Sequence, residues 1–320
     1  MAVFTHVSTP DLERFLAAYD LGEVRQLLPI AEGIENTNYR LETTTGRHVL
    51  TLFERRTPED ALPFVIALLE HLAGKSAPVP RPIPDRQGRC LSRLCGRPAL
   101  VVSFLEGRAV DTPDAAHCRA AGVALARLHE TAADFAATRA NPFGIAGWSP
   151  LLAACRKVAH DRRDIILCDR VAAALAMLPQ DWPLSLPRGT CHADLFPDNV
   201  FFAGDRVSGI IDFYFSATDA LAYDLAIALA AWGFDAANHW DRSRAQALLA
   251  GYEEIRALTP AERDWLPAFC LGAAVRFTLT RLYDRLHPRE EALVREKDPG
   301  EFAARMDFFA TLAGNNKDLF

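Results

Sequence analysis

The sequence is poor in lysine, with only four among its 320 residues, at Lys75, Lys157, Lys297 and Lys317. Acidic residues outnumber lysine and arginine by 41 to 35, which gives a formal net charge of −6. A chain of this charge has no general attraction to nucleic acid or to an anionic membrane. We therefore expect neither as a partner, and any phosphate that binds must be held by a local site.

Long apolar runs, paired cysteines and several common motifs are also missing. No stretch approaches the roughly 20 apolar residues that cross a bilayer, and the first residues do not resemble a secretory signal. The seven cysteines are odd in number and include no C-x-x-C pair, which disfavours a disulfide framework or a zinc site. P-loop and zincin motifs are absent as well. We expect a cytoplasmic protein with reduced, buried thiols.

What is present divides into two regions of different character. The first hundred residues alternate between short strand patterns and helices, with strands predicted at 24–31, 38–43, 48–53 and 99–105 and helices at 9–19 and 58–72. Beyond Asp111 helical periodicity dominates, at 112–137, 150–178, 219–233, 241–257 and 260–286. These patterns predict an α+β fold with two lobes, a small N-terminal lobe with an antiparallel sheet over 1–106 and a larger, mostly helical lobe over 107–320.

The segment 188–216 interrupts the helical lobe and contains the residues that point to chemistry. Its sequence places His192, Asp194 and Asn199 before a predicted β-hairpin turned by Gly204-Asp205, and Asp212 follows the second strand. The spacing fits the kinase pattern H-x-D-x-x-x-x-N, in which the Asp accepts the substrate proton and the Asn binds magnesium. We predict Asp194 as the catalytic base and Asn199 and Asp212 as ligands of Mg²⁺, which prefers such oxygen donors.

Any one of these residues could instead belong to a polar turn, because Asp, Pro and Asn are common turn formers. Three residues at the matching spacing, followed by an apolar hairpin that ends in Asp, favour the catalytic interpretation. His192 is expected to brace the loop backbone, and Asp224 to accept hydrogen bonds from N–H groups of the loop.

The chain resembles the aminoglycoside phosphotransferase and choline kinase-like superfamily, which has the protein kinase-like fold. Within it the sequence is similar to the type II homoserine kinases. The resemblance is carried by the catalytic segment and by five others, at 33–39, 49–54, 125–130, 223–226 and 276–284. It implies phosphorylation of the hydroxyl of L-homoserine by ATP and Mg²⁺, giving O-phospho-L-homoserine for threonine biosynthesis.

By this resemblance the N-terminal lobe binds the nucleotide. The turn containing Gly33, Asn36 and Asn38 would cover the phosphates, and the connector Ser103, Phe104 and Leu105 would meet the adenine edge. Kinase-fold enzymes place a lysine on the third strand, where this chain has Thr51. We expect the phosphate charge to be met by metal or by Arg47, Arg55 or Arg56.

Homoserine is a zwitterion, so its pocket needs a cation for the carboxylate. Arg276 and Arg281 lie in an apolar helix, and arginine forks match carboxylates. We predict that one of them contacts the substrate, with Arg276 favoured, and that Tyr214 and Trp232 line the pocket. The alternative for either arginine is a structural ion pair. His129 is interpreted as a structural histidine at the end of a helix.

Two other functions remain open from the sequence. The first is a kinase for another small alcohol, such as an aminoglycoside, choline or a thio-sugar, although the two arginines disfavour a cationic substrate. The second, suggested by the missing lysine, is a nucleotide-binding module without catalysis. Turnover of a panel of alcohols separates these functions.

Overall fold

The structure is a computed structural model that describes residues 4–30, 36–54, 58–179, 182–288 and 297–315. The chain divides into two compact units. The first comprises Met1–Glu106 together with Gly209–Tyr214, and the second comprises Gly107–Ser208, Phe215–Pro288 and the C-terminal residues. Among the described helices, none combines the length and the apolar character needed to span a bilayer.

The first unit is built on a five-stranded antiparallel sheet. In chain order the strands are β1 (Val24–Pro29), β2 (Thr37–Thr43), β3 (Gly46–Leu52), β4 (Leu91–Leu94) and β5 (Arg97–Ser103). Their order in the sheet is β1-β2-β3-β5-β4. Gly46 begins β3 at φ 150°, outside the usual range of L-residues, as the tight connection from β2 requires. The predicted meander is confirmed, and β4 is an additional strand that the sequence analysis missed.

Both faces of this sheet are covered. Alternate residues of β2 and β3, including Tyr39, Leu41 and Leu50, pack on one face against the helix α1 (Thr9–Leu16). The opposite face carries Phe53 and Val102, which pack with the helix α2 (Leu62–Gly74). Burial of alternate residues on both faces fixes the register of the sheet, since a slip by one residue would exchange the two faces.

The helix α1 starts at Thr9 as predicted, whereas the next long helix starts three residues later than predicted. Ser8 caps α1, because its hydroxyl accepts a hydrogen bond from the N–H of Asp11. The next long helix, α3 (Ala115–Thr131), is capped by Asp114, which bonds the N–H of His117. Thr9 and Thr112, with which the predicted helices begin, each lie before a proline, and neither of them is the capping residue.

The second unit is mainly helical. After α3 its helices are α4 (Trp148–Val158), α5 (Arg162–Met177), α6 (Leu221–Trp232), α7 (Arg242–Glu253), α8 (Pro260–Leu286) and α9 (Pro299–Asn315). The predicted helix at 150–178 is two helices, because Asp161 ends the extended connection and caps α5. The helix α9 was not predicted. The 27-residue α8 starts with a capping box formed by Thr259 and Glu262.

Four short strands interrupt the helices. The strands β6 (Arg188–Cys191) and β9 (Ala217–Ala220) pair antiparallel, and β7 (Val200–Ala203) pairs with β8 (Arg206–Ile210) around the predicted Gly204-Asp205 turn. The hairpin prediction is confirmed. Pairing of β6 with β9 fixes where the loop that carries Asp194 begins. The predicted α+β fold class, an antiparallel sheet followed by a mainly helical unit, is confirmed.

Six of the seven cysteines are buried free thiols, as expected. Cys95 is exposed instead and lies in the turn between β4 and β5, where its φ is 50°.

Candidate active site

The loop after β6 is held in a conformation that its sequence does not favour. Ala193, directly before Asp194, has a φ of 63°, in the left-handed region that an alanine rarely adopts. Its N–H donates to Asp224 Oδ1 at 2.8 Å, and its carbonyl accepts from Arg276 Nη1 at 2.7 Å. Two charged side chains, from α6 and α8, therefore hold this residue from both sides and compensate the backbone strain.

Every carbonyl from residue 192 to residue 195 accepts a hydrogen bond from a side chain. The donors are Ser216 to His192, Arg276 to Ala193, Asn199 to Asp194 and Trp232 Nε1 to Leu195. His192 is fully buried, and its Nδ1 accepts the N–H of Asp194 at 3.2 Å, in agreement with the bracing role expected for it. The loop is thus rigid although it contains no regular structure, which suits a carboxylate that must aim at a substrate.

Asp224, fully buried in α6, anchors the start of this loop. Its two oxygens accept the N–H groups of His192 at 2.7 Å and Ala193 at 2.8 Å, which confirms the prediction for this residue. His129 Nε2 bonds the same carboxylate at 3.0 Å, and His129 Nδ1 bonds the hydroxyl of Tyr252 at 2.8 Å. Burial raises the pKa of Asp224, but the bonds and charges of His129, His192 and the loop outweigh it, so that the pKa is lowered.

His129, Asp224 and Cys191 offer potential metal ligands within 4.8 Å of one another. The oxygens of Asp224 already accept backbone hydrogens, and burial raises the pKa of the Cys191 thiol well above its ordinary value. A protonated thiol and a fully engaged carboxylate are poor ligands. We interpret the cluster as an anchor for the loop.

Asn199 is oriented by the loop itself. Its Nδ2 donates to the carbonyl of Asp194 at 2.8 Å and to Asp194 Oδ2 at 3.2 Å. With the amide nitrogen turned toward Asp194, the carbonyl oxygen Oδ1 is directed away from that residue. This oxygen is a hard ligand, so the orientation fits a site for Mg²⁺.

Asp212 belongs to the first unit and follows β8. Its backbone is left-handed, with a φ of 66°. Tyr214, two residues later, packs edge-on against Phe53 at 5.2 Å between ring centroids and joins the apolar cluster on the α2 face of the sheet. The carboxylate of Asp212 is likewise a hard oxygen donor and fits Mg²⁺. Packing of Tyr214 fixes the chain near Asp212, and its predicted contact with substrate stays a prediction.

Arg276 is 2 % exposed, and the structure surrounds it with aromatic rings. Its guanidinium lies 4.7 Å from the ring centroid of Phe277, 5.1 Å from that of Phe143 and 6.0 Å from that of Phe215. No carboxylate of the described residues forms an ion pair with it, and Nε has no hydrogen-bond partner there. A buried cation without a carboxylate partner is costly, and here the carbonyl of Ala193 and the three rings offset part of that cost.

Arg281 differs, because its charge is matched within the protein. Nη1 lies 2.6 Å from Glu301 Oε2 and also donates to the carbonyl of Asp298, while the guanidinium stacks on Phe302. For Arg281 these contacts match the alternative stated in the sequence analysis, a structural ion pair. Trp232 is 1 % exposed, and its indole N–H donates to the carbonyl of Leu195. Its predicted place in the pocket wall stays a prediction.

In the predicted phosphate-binding turn, Gly33 lies outside the described residues. Asn36 is 3 % exposed, and its Oδ1 accepts the N–H of Glu54 at 3.3 Å. Asn38 pairs across the sheet with Thr51, whose hydroxyl donates to Asn38 Oδ1 at 2.7 Å. Thr51, which the resemblance places where kinase-fold enzymes have a lysine, is therefore bonded to a predicted nucleotide residue.

Two backbone N–H groups of the predicted connector are already hydrogen-bonded. The N–H of Ser103 donates to the carbonyl of Arg81, and the N–H of Phe104 donates to the carbonyl of Arg47. Leu105 is the residue of the predicted connector whose N–H has no such bond within the described part of the chain. Arg47 pairs with Glu106 and stacks on Phe104, while Arg55 and Arg56 lie outside the described residues.

Sequence reasoning left out part of the loop anchor. His129 was given no contact with the catalytic segment, and Tyr252 was not considered. The signal was present in Leu128-His129-Glu130, because a histidine on the buried side of an apolar helix needs polar partners.

Comparison with known proteins identifies relatives along nearly the whole chain. Residues 26–258 match the family model described as the phosphotransferase enzyme family. The chain is 50 % identical over 308 residues to homoserine kinase of Methylobacterium radiotolerans, with 96 % of each chain covered. It is 49 % identical to homoserine kinase of Xanthobacter autotrophicus, again with 96 % of each covered.

Solved structures show the same fold at low identity. An amicoumacin kinase, hAmiN, in complex with AMP-PNP, Ca²⁺ and Ami has a TM-score of 0.68 at 15 % identity, covering 97 % of this chain and 94 % of its own. An aminopropanol kinase associated with a microcompartment has a TM-score of 0.62 at 18 % identity, with 96 % and 97 % covered. Together with the braced Asp194 loop, the match over 26–258 leads to one conclusion: this chain belongs to the phosphotransferase enzyme family.

Proposed function

We propose that this protein transfers the γ-phosphoryl group of ATP to the side-chain hydroxyl of L-homoserine. The chain belongs to the phosphotransferase family, and two homoserine kinases are 49–50 % identical to it over 96 % of its length. Both findings support this acceptor. The observation that carries the proposal is the buried Arg276, a cation without a carboxylate partner among the described residues, beside a loop that holds Asp194. A neutral or cationic alcohol would leave that charge uncompensated.

In the proposed reaction Asp194 orients the acceptor hydroxyl and accepts its proton. The hydroxyl oxygen forms a bond to the γ-phosphorus while the bond between that phosphorus and the β–γ bridging oxygen breaks, releasing ADP. Asn199 donates to Asp194 Oδ2 and fixes the carboxylate orientation. The products are O-phospho-L-homoserine and ADP, and the proton leaves from Asp194.

Asn199 and Asp212 are the proposed ligands of Mg²⁺, which when bound neutralises charge on the phosphate oxygens. The orientation of the Asn199 amide supports its role. For the nucleotide we retain Gly33, Asn36, Asn38 and the connector Ser103–Leu105 as proposed contacts. Within the connector, Leu105 is favoured as the adenine donor, because the N–H groups of Ser103 and Phe104 are used inside the first unit.

Recognition of the substrate carboxylate is assigned to Arg276. The hydroxyl of the buried Tyr223 has no hydrogen-bond partner among the described residues, and neither has Arg276 Nε. Tyr223 nevertheless lies beside Arg276, because the charge of the guanidinium and its contact with the hydroxyl both oppose the rise in the Tyr223 pKa that burial causes. These two groups could complete their bonds on one carboxylate, with the aromatic rings around Arg276 excluding water.

A panel of alcohols tests the acceptor. With ATP and Mg²⁺, coupled ADP release is expected to be fastest with L-homoserine and much slower with 3-amino-1-propanol, which lacks the carboxylate. Choline and kanamycin are expected to be inert. Preferred turnover of either one would assign the enzyme to another acceptor class, and nucleotide binding without any turnover would leave only a binding module.

Replacing Arg276 by lysine is expected to raise the KM for homoserine by about 10- to 100-fold, because lysine cannot form the bidentate bond. The KM for 3-amino-1-propanol should change far less, since that acceptor has no carboxylate to lose. Initial rates with both acceptors, at fixed ATP, measure the difference.

Arg281→Lys is the comparison variant, because Arg281 lies on the same helix but already has Glu301 as its partner. We expect Arg281→Lys to raise the KM for homoserine less than Arg276→Lys does. If Arg276→Lys weakened both acceptors equally, Arg276 would act only by holding the carbonyl of Ala193.

A further inference from the structure

The resemblance places Thr51 where kinase-fold enzymes have a strand lysine, and the structure shows what surrounds Thr51. Thr51 lies on β3 opposite Asn38 on β2, is 3 % exposed, and donates its hydroxyl hydrogen to Asn38 Oδ1 at 2.7 Å. In kinase-fold enzymes the residue at this place binds nucleotide phosphates. We propose that the side-chain amide of Asn38, held by Thr51, donates to the nucleotide phosphates in place of the lysine. This inference rests on the proposed function.

The direction of the hydrogen bond sets the chemistry of the pair. Because the hydroxyl of Thr51 donates to Asn38 Oδ1, the carbonyl oxygen of the Asn38 side-chain amide is turned toward β3. The two N–H donors of Asn38 Nδ2 are then turned away from Thr51, and the described residues supply no acceptor for them. Asn38 is only half-buried, unlike its neighbours Thr37 and Tyr39, so that these donors can reach a ligand.

The face of the sheet supports the same assignment. Asn38 alternates with Tyr39 and Leu41, which pack against α1, and Thr51 alternates with Leu50 and Leu52 of the same cluster. Asn38 and Thr51 therefore project to the opposite face. That face also carries Phe53 and Tyr214, and Tyr214 lies two residues after the proposed metal ligand Asp212.

Three arginines of this sheet already have acidic partners. Arg47 pairs with Glu106, Arg97 with Glu54 and Arg40 with Glu42. Of these, Arg40 and Arg47 lie on the same face as Asn38, so they are the competing candidates. A neutral amide binds phosphate less strongly than an ammonium group, but it requires no carboxylate partner when the nucleotide is absent.

Four variants test the pair. Asn38→Asp keeps an acceptor for Thr51 but replaces the two N–H donors by a negative charge. Thr51→Val removes the hydroxyl at nearly constant shape, and Thr51→Ser retains it. Thr43→Val is the matched control, because Thr43 is also a buried threonine at the end of β2 but lies on the α1 face.

Binding of Mg²⁺·ATP and of adenosine is measured by calorimetry, with thermal unfolding checked for each variant. We expect Asn38→Asp to weaken Mg²⁺·ATP by about 10- to 100-fold and Thr51→Val by about 10-fold, the sizes of lost hydrogen bonds to a charged group. Adenosine affinity should stay within about twofold, and Thr51→Ser and Thr43→Val should bind Mg²⁺·ATP like the parent protein.

The proposal would be overturned if Asn38→Asp lost as much affinity for adenosine as for Mg²⁺·ATP, or if it bound Mg²⁺·ATP as tightly as the parent protein. It would also be overturned by a loss of Mg²⁺·ATP affinity confined to Arg40→Gln or to Arg47→Gln, which would assign the phosphate contact to that arginine. If Asn38→Asp fails to fold, the comparison of Thr51→Val with Thr51→Ser still decides. Because binding is measured without acceptor, failure of the homoserine assignment would not affect this result.

Discussion

Asp194→Asn is expected to lower kcat for homoserine by about 10³-fold, the scale on which a positioned general base contributes. Asparagine can still accept the hydrogen bond from Asn199 Nδ2, so the loop should keep its conformation. It cannot accept the proton of the attacking hydroxyl. The KM for ATP should change little, and circular dichroism should be unchanged.

Asp198→Asn provides the matched control for this experiment. Asp198 is four residues away in the same loop, but it is exposed and pairs with Lys297 at 3.0 Å. Its replacement should leave kcat within about twofold, as expected for a surface ion pair. An Asp194→Asn enzyme with near-normal kcat would show that positioning alone carries the reaction and that Asp194 is not the base.

Asp224→Ala is expected to reduce the free energy of unfolding by about 3–5 kcal/mol, the cost of breaking a buried charged network. The variant leaves the N–H groups of His192 and Ala193 and the ring of His129 without their acceptor. Ala193 would also lose the bond that supports its left-handed conformation. Urea unfolding measures the stability, and kcat should fall with it because Asp194 is no longer held.

Asp169→Asn serves as the surface control, since Asp169 is exposed and pairs with Arg156. A change below about 1 kcal/mol is expected there. If Asp224→Ala were no more destabilising than this control, the loop would be held mainly by the other side chains that contact its carbonyls.

The stabilisation by Asp224 also has a defined dependence on pH. The pKa of Asp224 in the folded protein is lowered from an ordinary value of 3.8, so folding favours its ionised form. Its contribution is therefore complete above about pH 4 and is lost as the pH falls through the folded-state pKa. The part of the stability difference between the parent protein and Asp224→Ala that comes from ionisation of Asp224 should therefore be lost as the pH falls below about 4.

The helices and strands show which parts of the fold are encoded locally. The α8 pattern from Pro260 to Leu286 and the hairpin around Gly204-Asp205 were predicted closely, because periodicity and turn residues act over a few positions. The strand β4 and the pairing of β6 with β9 were missed, since four-residue strands carry little periodicity. The start of α3 was placed three residues too early.

The residue types and spacing of Asp194, Asn199 and Asp212 were enough to predict phosphoryl transfer from the sequence alone. What holds them was decided by residues distant in the chain. Ala193 adopts its strained backbone only because Asp224 and Arg276, 31 and 83 positions away, bond its two sides. Likewise, whether Arg276 or Arg281 has a free charge depends on Glu301, a residue of a helix that was not predicted.

The sequence by itself therefore determined the fold class and the chemical groups of the site, because those depend on local periodicity and on the identity of side chains. Only the tertiary structure decided that the Asp194 loop is held by side-chain hydrogen bonds, that Arg281 is paired with Glu301, and that Arg276 has no carboxylate partner among the described residues. The difference is physical: a hydrogen bond or an ion pair needs two partners within about 3–4 Å, and the chain positions of the partners do not encode that distance.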